Sequence, residues 1–274
     1  ICGHPEIEMA LVELHRVTGE PRYLEQARLF VERRGHGLLG PIEFGPQYFQ
    51  DDVPVREATV LRGHAVRALY LCAGTIDVAV ETGNDELLQA ARRQYDATLA
   101  TRTYITGGMG SHHQDEAFGE DFELPPDRSY CETCAGIGSL MVAWRLLLAT
   151  GDTRYADVIE RTLFNVVATS PSSDGRSFFY ANPLQARVPG TPSAPDEVSG
   201  RASTQMRAPW FEVSCCPMNV ARTLASWQAY AAGVDGDTVT LWQHASADLH
   251  VQLAAGGELG LRVRTGYPVA GRVE

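Results

Sequence analysis

The chain has 274 residues, of which 44% are hydrophobic and 21% charged, a globular composition that suits one large domain or two smaller ones. A formal net charge of −11 argues against nucleic acid or anionic membrane as partners, and no apolar run approaches the roughly 20 residues that cross a bilayer. Six cysteines are too few for a disulfide framework in a chain of this length, so a reducing compartment, the cytoplasm, is expected.

Along the chain one local pattern recurs. The stretches from Leu11, from Leu71 and from Leu140 each read as an apolar-periodic helix, a Thr-Gly pair and a second periodic helix. Gly19, Gly83 and Gly151 suit the left-handed position just past a helix C-terminus. Asn84 and Asp152 suit the N-cap of the helix that follows, and Pro21 suits a first helical turn. Hairpins recurring at about 65 residues are too long for a common solenoid; a toroid of paired helices with decorated loops fits, the alternative being an irregular helical array. Two segments between helices are long and unstructured in pattern. Tyr104 to Tyr130 is rich in Gly, Pro, His and carboxylates, and Ser170 to Pro209 contains the loop sequence PGTPSAPDEVSG. Structureless stretches of that length are usually functional or disordered. Beyond about Val234, alternating apolar and polar residues between Gly-rich turns predict short strands. The chain begins at Ile1 without Met and stops at Glu274 in mid-pattern, so a piece of a longer protein is expected. The expected division is a helical domain over 1–233 and the start of a β domain over 234–274.

The chemistry concentrates in the cysteines. SYCETCAGIGSL carries Cys131, Glu132 and Cys134, and WFEVSCCPMN carries Cys215 and Cys216. Adjacent cysteines are poor disulfide partners, because neighbouring Cα atoms lie about 3.8 Å apart and bridged ones roughly 4.4–6.8 Å apart. A metal, a nucleophile or two unrelated buried thiols remain. Two soft pairs on separate loops suit tetrahedral zinc, with either Cys131 or Glu132 joining Cys134, Cys215 and Cys216. Some of these cysteines could equally be small buried hydrophobes.

The stretches GHPEIEMALVELHRVTG, RGHAVRALYL, ITGGMGS, EAFGEDFELPPDRSYCETCA and WFEVSCCPMN, in this order, resemble glycoside hydrolase family 127, the β-L-arabinofuranosidase family. The resemblance runs along essentially the whole chain. It implies a mainly α fold, an (α/α)6 toroid of helical hairpins followed by β-sandwich domains, of which about three hairpins and the start of one sandwich are present here. It implies a retaining glycosidase that releases β-L-arabinofuranose or a related furanoside. By the same resemblance zinc is held by Glu132, Cys134, Cys215 and Cys216, with Cys131 outside the shell. Cys215 is the nucleophile, Glu116 the general acid/base, and His4, His64 and Tyr180 contact the sugar. The partner expected is a glycoside or oligosaccharide, with two copies pairing through the β domain of the full-length protein.

Each assignment has a plainer competitor. Glu116 stands among Asp115, Glu120, Asp121 and Glu123, where a solvated loop charge is the usual outcome. His112 and His113 read as ordinary loop residues. His4, before Pro5, could cap a helix, and His64 at helical spacing could be a core histidine. Tyr180 could be packing, and Trp210 and Phe211, which could form a sugar platform, are more often aromatic core. A catalytically silent, zinc-stabilised carbohydrate-binding toroid is the competing class. A sugar epimerase or lyase on a similar toroid is a third, less suited to a soft thiolate.

Overall fold

The computed structural model describes residues 1–185 and 206–274. The PGTPSAPDEVSG loop lies outside the described residues. The chain divides into two compact units, Ile1–Val220 and Ala221–Glu274.

The first unit is mainly helical, and its three helical pairs are those the Thr-Gly pattern predicts. Helices α1 (Ile7–Thr18) and α2 (Pro21–Arg33) form the first, followed by the single turn α3 (Gly45–Tyr48). Then come α4 (Ala65–Thr82) with α5 (Asp85–Thr101), and α6 (Thr133–Thr150) with α7 (Arg154–Thr162). Gly19, Gly83 and Gly151 end α1, α4 and α6 with φ of 70°, 62° and 68°, a region in which a Cβ is strained. Pro21 opens α2, where its missing N–H costs nothing. Asn84 caps α5, its side chain accepting from the Leu87 amide at 3.0 Å. Asp152 caps α7 as expected: the helix is counted from Arg154, but Thr153 already has helical dihedrals and makes no side-chain cap bond, and the Asp152 carbonyl accepts from the Tyr155 amide at 3.2 Å. Its carboxylate accepts from the Arg154 amide at 3.2 Å and also from Arg92 at 3.0 Å.

The first helices of the pairs stand side by side, with α4 between α1 and α6. Each second helix packs on the first helix of its own pair. Small residues let the inner helices approach. A Cβ on Gly74 of α4 would stand 2.7 Å from Glu8 Cβ of α1, and one on Gly138 of α6 would stand 3.0 Å from Leu69 Cβ of α4. Helices α4 and α6 are buried on nearly every face, whereas α2 buries only Ala27 and Val31. Helix α6 is apolar and long enough to cross a membrane, but 67% of it is buried in the interior. Polar links pin the inner layer. Tyr95 of α5 donates its hydroxyl to the Ser139 carbonyl of α6 at 2.9 Å. Arg145 of α6 pairs with Asp77 of α4 at 2.7 Å, and Arg16 of α1 reaches the same carboxylate at 3.5 Å. Burial pushes the Asp77 carboxyl above its usual range, and the two guanidiniums oppose that shift.

After α7 the chain makes a π-helical turn over Leu163–Val167 and then a short antiparallel pair, β1 (Ser177–Phe178) with β2 (Ala208–Pro209). A 3₁₀ turn, Trp210–Glu212, leads into α8 (Cys215–Ala225). Trp210 and Phe211 are 49% and 60% exposed, so they are not core aromatics; the turn holds them at the surface.

The second unit contains two antiparallel hairpins, β3 (Ala232–Asp235) with β4 (Thr238–Leu241) and β5 (Ala247–Gln252) with β6 (Glu258–Val263). The alternation expected of strands is visible in the register. Leu249 faces Leu261 and Val251 faces Leu259, while Asp248 opposite Arg262 forms an ion pair at 2.8 Å.

Because Gly138 sets the spacing of α4 and α6, Gly138→Val overfills that contact. Urea unfolding should show a loss of about 1–3 kcal/mol.

Candidate active site

The N-terminal ends of α1, α4, α6 and α8 open onto one cavity of about 500 Å³. His4, Pro5 and Glu6 precede α1, and His64 stands at the N-cap of α4, followed by Val66 and Arg67. Glu132 stands at the N-cap of α6 and Cys134 in its first turn; Cys215 opens α8. The Tyr104–Tyr130 loop adds Gln114 and Glu116 to the wall, and Tyr180 and Asn219 complete it. Unpaired N–H groups and the helix dipole favour anionic groups at each of these ends.

Glu132, Cys134, Cys215 and Cys216 form the one cluster of its kind among the described residues, with one ligand atom from each lying within 4.8 Å of all the others. The Cys216 sulfur lies 3.7 Å from the Cys134 sulfur and 3.7 Å from the Cys215 sulfur, and Cys215 Sγ lies 3.8 Å from Glu132 Oε1. A tetrahedral metal with bonds of about 2.3 Å to sulfur would impose S···S edges of about 3.8 Å. The four side chains therefore fit a metal ion in spacing and in donor chemistry. Cys131, the competing ligand, is absent from the cluster. Its backbone takes φ of 39°, and its sulfur is packed against Gly108, where an added Cβ would come within 2.8 Å. Burial raises the Cys131 thiol.

Two donors that the sequence pattern does not reveal hold the cluster from behind. The Tyr130 hydroxyl donates to Glu132 Oε2 at 2.7 Å, which leaves Oε1 toward the sulfurs. Asn219, one turn into α8, donates its amide to the Cys134 sulfur at 3.0 Å and to the Tyr70 oxygen at 3.1 Å. Such outer contacts orient metal ligands. Burial, then the charges of Cys215 and Glu116, push the Glu132 carboxyl up to about 8. Hydrogen bonding among the thiols, followed by burial, raises Cys134 and Cys216 well above the ordinary thiol range. Crowding and burial thus favour the protonated forms of Glu132, Cys134 and Cys216, the balance that a bound cation would oppose. Cys134 and Cys216 are buried, and Cys215 is the exposed cysteine of the cluster, on the cavity wall.

The same cavity is lined by a second constellation. Glu116 Oε2 lies 3.1 Å from His64 Nε2, and the Tyr180 hydroxyl donates to Glu116 Oε1 at 3.1 Å. Glu116 is not a solvated loop charge; its side chain is 21% exposed, and its backbone takes φ of 56°, a costly conformation for a residue with a side chain. Main-chain bonds hold it there: the Ala65 amide donates to the Glu116 carbonyl at 2.9 Å, and His64 bridges Ala117. His64 is thus a buried N-cap residue aimed at a carboxylate rather than a core histidine. Tyr180 comes from a segment that runs antiparallel to Glu132, with Ala181 bridging Glu132 and the Thr133 amide donating to the Tyr180 carbonyl at 2.9 Å. Its phenol is raised by burial and then by the charges of Glu132 and Glu116, so it acts as a donor. His4 does not cap α1, which begins at Ile7; its Nε2 lies 2.8 Å from Arg67 Nη2. Burial, then Arg67 and His64, lower its pKa, which leaves His4 neutral and accepting from Arg67. Arg67, which sequence reasoning missed, rests over the rings of Tyr48 and Phe49 at 4.9 and 4.7 Å. His112 lies outside this cavity, 3.0 Å from Glu123, as a loop residue should.

Residues 1–229 match the family model described as the catalytic domain of β-L-arabinofuranosidase, GH127. The chain belongs to glycoside hydrolase family 127. It is 34% identical over 288 aligned residues to a non-reducing end β-L-arabinofuranosidase of Bifidobacterium longum subsp. longum, an alignment covering 99% of this chain and 43% of that protein. Among solved structures it resembles a GH127 β-arabinofuranosidase with TM-score 0.86 and 38% identity, covering 100% of this chain and 40% of that one. It also resembles a GH127 β-L-arabinofuranosidase from Geobacillus stearothermophilus T6 with TM-score 0.88 and 35% identity, covering 99% and 44%. This member of the family therefore spans less than half the length of these relatives.

If Tyr130 holds the cluster through Glu132, Tyr130→Phe should loosen a bound divalent cation by roughly ten- to a hundredfold. Competition with a colorimetric chelator would measure this, and a fold retained by circular dichroism would separate the effect from unfolding.

Proposed function

We propose that this chain carries the catalytic centre of a retaining β-L-arabinofuranosidase, with zinc at the Glu132–Cys134–Cys215–Cys216 cluster, Cys215 as nucleophile and Glu116 as general acid/base. The observation that carries the reading is the position of Cys215: of the three clustered thiols it alone is exposed, and it lines the cavity that Glu116 also lines. Zinc bound by these four residues would keep the sulfurs deprotonated at neutral pH.

The reaction follows from the chain's own groups. Cys215 Sγ attacks the anomeric carbon and forms a C–S bond while the bond to the leaving oxygen breaks. That oxygen takes the proton from Glu116. His64 and Tyr180 hold the two Glu116 oxygens, which fixes the carboxyl group as the proton moves. A water then attacks the anomeric carbon, gives its proton to Glu116 and releases Cys215 as a thiolate. Two displacements retain configuration, with a thiolate in place of the carboxylate that most retaining glycosidases use. His4, whose Nε2 accepts from Arg67, keeps its Nδ1–H to donate, and with the remaining Arg67 N–H groups it offers donors on this wall for sugar oxygens. The three helical pairs are consistent with part of an (α/α)6 ring over 1–233, with 234–274 opening a β-sandwich. Free thiols at the centre suit the reducing cytoplasm. A silent sugar-binding role would need neither Glu116 nor its strained backbone.

Three measurements on the full-length protein test the reading. Glu116→Gln should keep its zinc and lose about 10²–10⁴ in kcat on an aryl β-L-arabinofuranoside; unaltered turnover would refute the acid/base role. Cys215→Ser should lose turnover altogether. Mass spectrometry after treatment with a cysteine-directed arabinofuranosyl analogue should find the label on Cys215, and label elsewhere would overturn the nucleophile.

A further inference from the structure

A second cavity, of about 620 Å³, adjoins the first and shares Phe44 and Gln114 with it. We infer that this cavity is the subsite for the leaving-group side of the substrate and that it takes a neutral sugar ring, with Phe44 as the platform between the two rings. The inference rests on the glycosidase reading above.

The chain direction supplies the polarity. In the run from Gln114 to Glu116, Gln114 lines both cavities, Asp115 lines the second and Glu116 the first. Glu116 is the group placed to protonate the departing oxygen, so what that oxygen carries lies next to Glu116 on the Asp115 side. Phe44 stands at the junction. It is 53% exposed, and its backbone takes φ of 64°, which a bulky residue adopts only when its surroundings impose it. Gly45 follows with φ of 77°, and the Phe44 ring leans on Tyr48 at 4.9 Å. A strained backbone thus presents an apolar face to solvent between two polar hollows, the arrangement that suits the apolar face of a pyranose or furanose.

The polar lining suits hydroxyl groups. Asp115 Oδ1 is buried without a hydrogen bond, with His112 Nδ1 at 3.5 Å. Glu123 is already engaged, accepting from His112 at 3.0 Å and from the Glu120 amide at 2.8 Å. The Arg128 side chain is 76% exposed at the rim. Two carboxylates against one guanidinium disfavour a uronate and favour an uncharged ring.

The test compares a β-linked L-arabinofuranosyl disaccharide with methyl β-L-arabinofuranoside, whose aglycone is one methyl group, on full-length protein. Phe44→Gly, Asp115→Asn and Arg128→Ala are the variants; glycine suits φ of 64°, so the first should keep the fold. In each, the ratio of kcat/KM for disaccharide over methyl glycoside should fall about five- to tenfold, chiefly through KM. Equal losses on both substrates, or a ratio unchanged in all three variants, would overturn the subsite while leaving the glycosidase standing. Wild-type protein that hydrolyses neither substrate would overturn the glycosidase reading, and the subsite with it.

Discussion

Four acids held within one small volume set the terms for the rest of this molecule. Glu132, Cys134, Cys215 and Cys216 lie at or near the first turns of two helices, where unpaired amides already favour negative charge. Left to themselves they repel one another, and burial pushes protons onto them. A cation reverses that balance, and the edges of the cluster match those of a tetrahedral metal. The close approaches at Gly74 and Gly138 pack α4 against α1 and α6, while Asn219 of α8 bonds Cys134 of α6 and Tyr130 holds Glu132.

Around this fixed point the cavity residues supplied by loops sit on less regular backbone than those on α4 and α8. Glu116 and Phe44 have positive φ, and both line the cavity. A loop that must aim a carboxylate at a helix N-terminus cannot also relax into the broad β region, so the cost is carried locally and offset by main-chain bonds to α4. Placing such groups on loops pinned to rigid helix ends separates precision, which the helices supply, from variety, which loops can change without disturbing the core.

How much of this is legible in the amino-acid sequence differs by residue. The helical pairs are legible because Thr-Gly followed by Glu, Asn or Asp is a physical stop and start signal, and Gly19, Gly83 and Gly151 have the left-handed conformation the signal requires. The cap of α7 is legible too, since Asp152 accepts from the Arg154 amide, but its ion pair with Arg92 of α5 is a contact between helices that no local pattern records. The Glu–Cys–Cys–Cys cluster is legible in kind, but spacing alone leaves Cys131 and Glu132 as rivals; the choice depends on a positive φ at Cys131 that turns its sulfur to Gly108. Arg67 and Asn219 lie inside recognisable stretches, but their roles arise from partners 63 and 85 positions away, while Tyr130 bonds Glu132 two residues on, a contact that residue type alone does not announce. Trp210 and Phe211 mislead because aromatic content alone does not say which side of a 3₁₀ turn faces water.

The separation of the two halves of the cluster has a consequence for how the chain assembles. Cys134 and Cys216 are 82 positions apart. One ion shared by both would close a loop of that length, and because the entropic cost of closure grows only with the logarithm of loop length, the long separation adds little to it. During synthesis the earlier pair leaves the ribosome with only half a coordination shell. A metal bound at the cluster would tie the first turns of α6 and α8 to each other, and its binding free energy would add to that of folding.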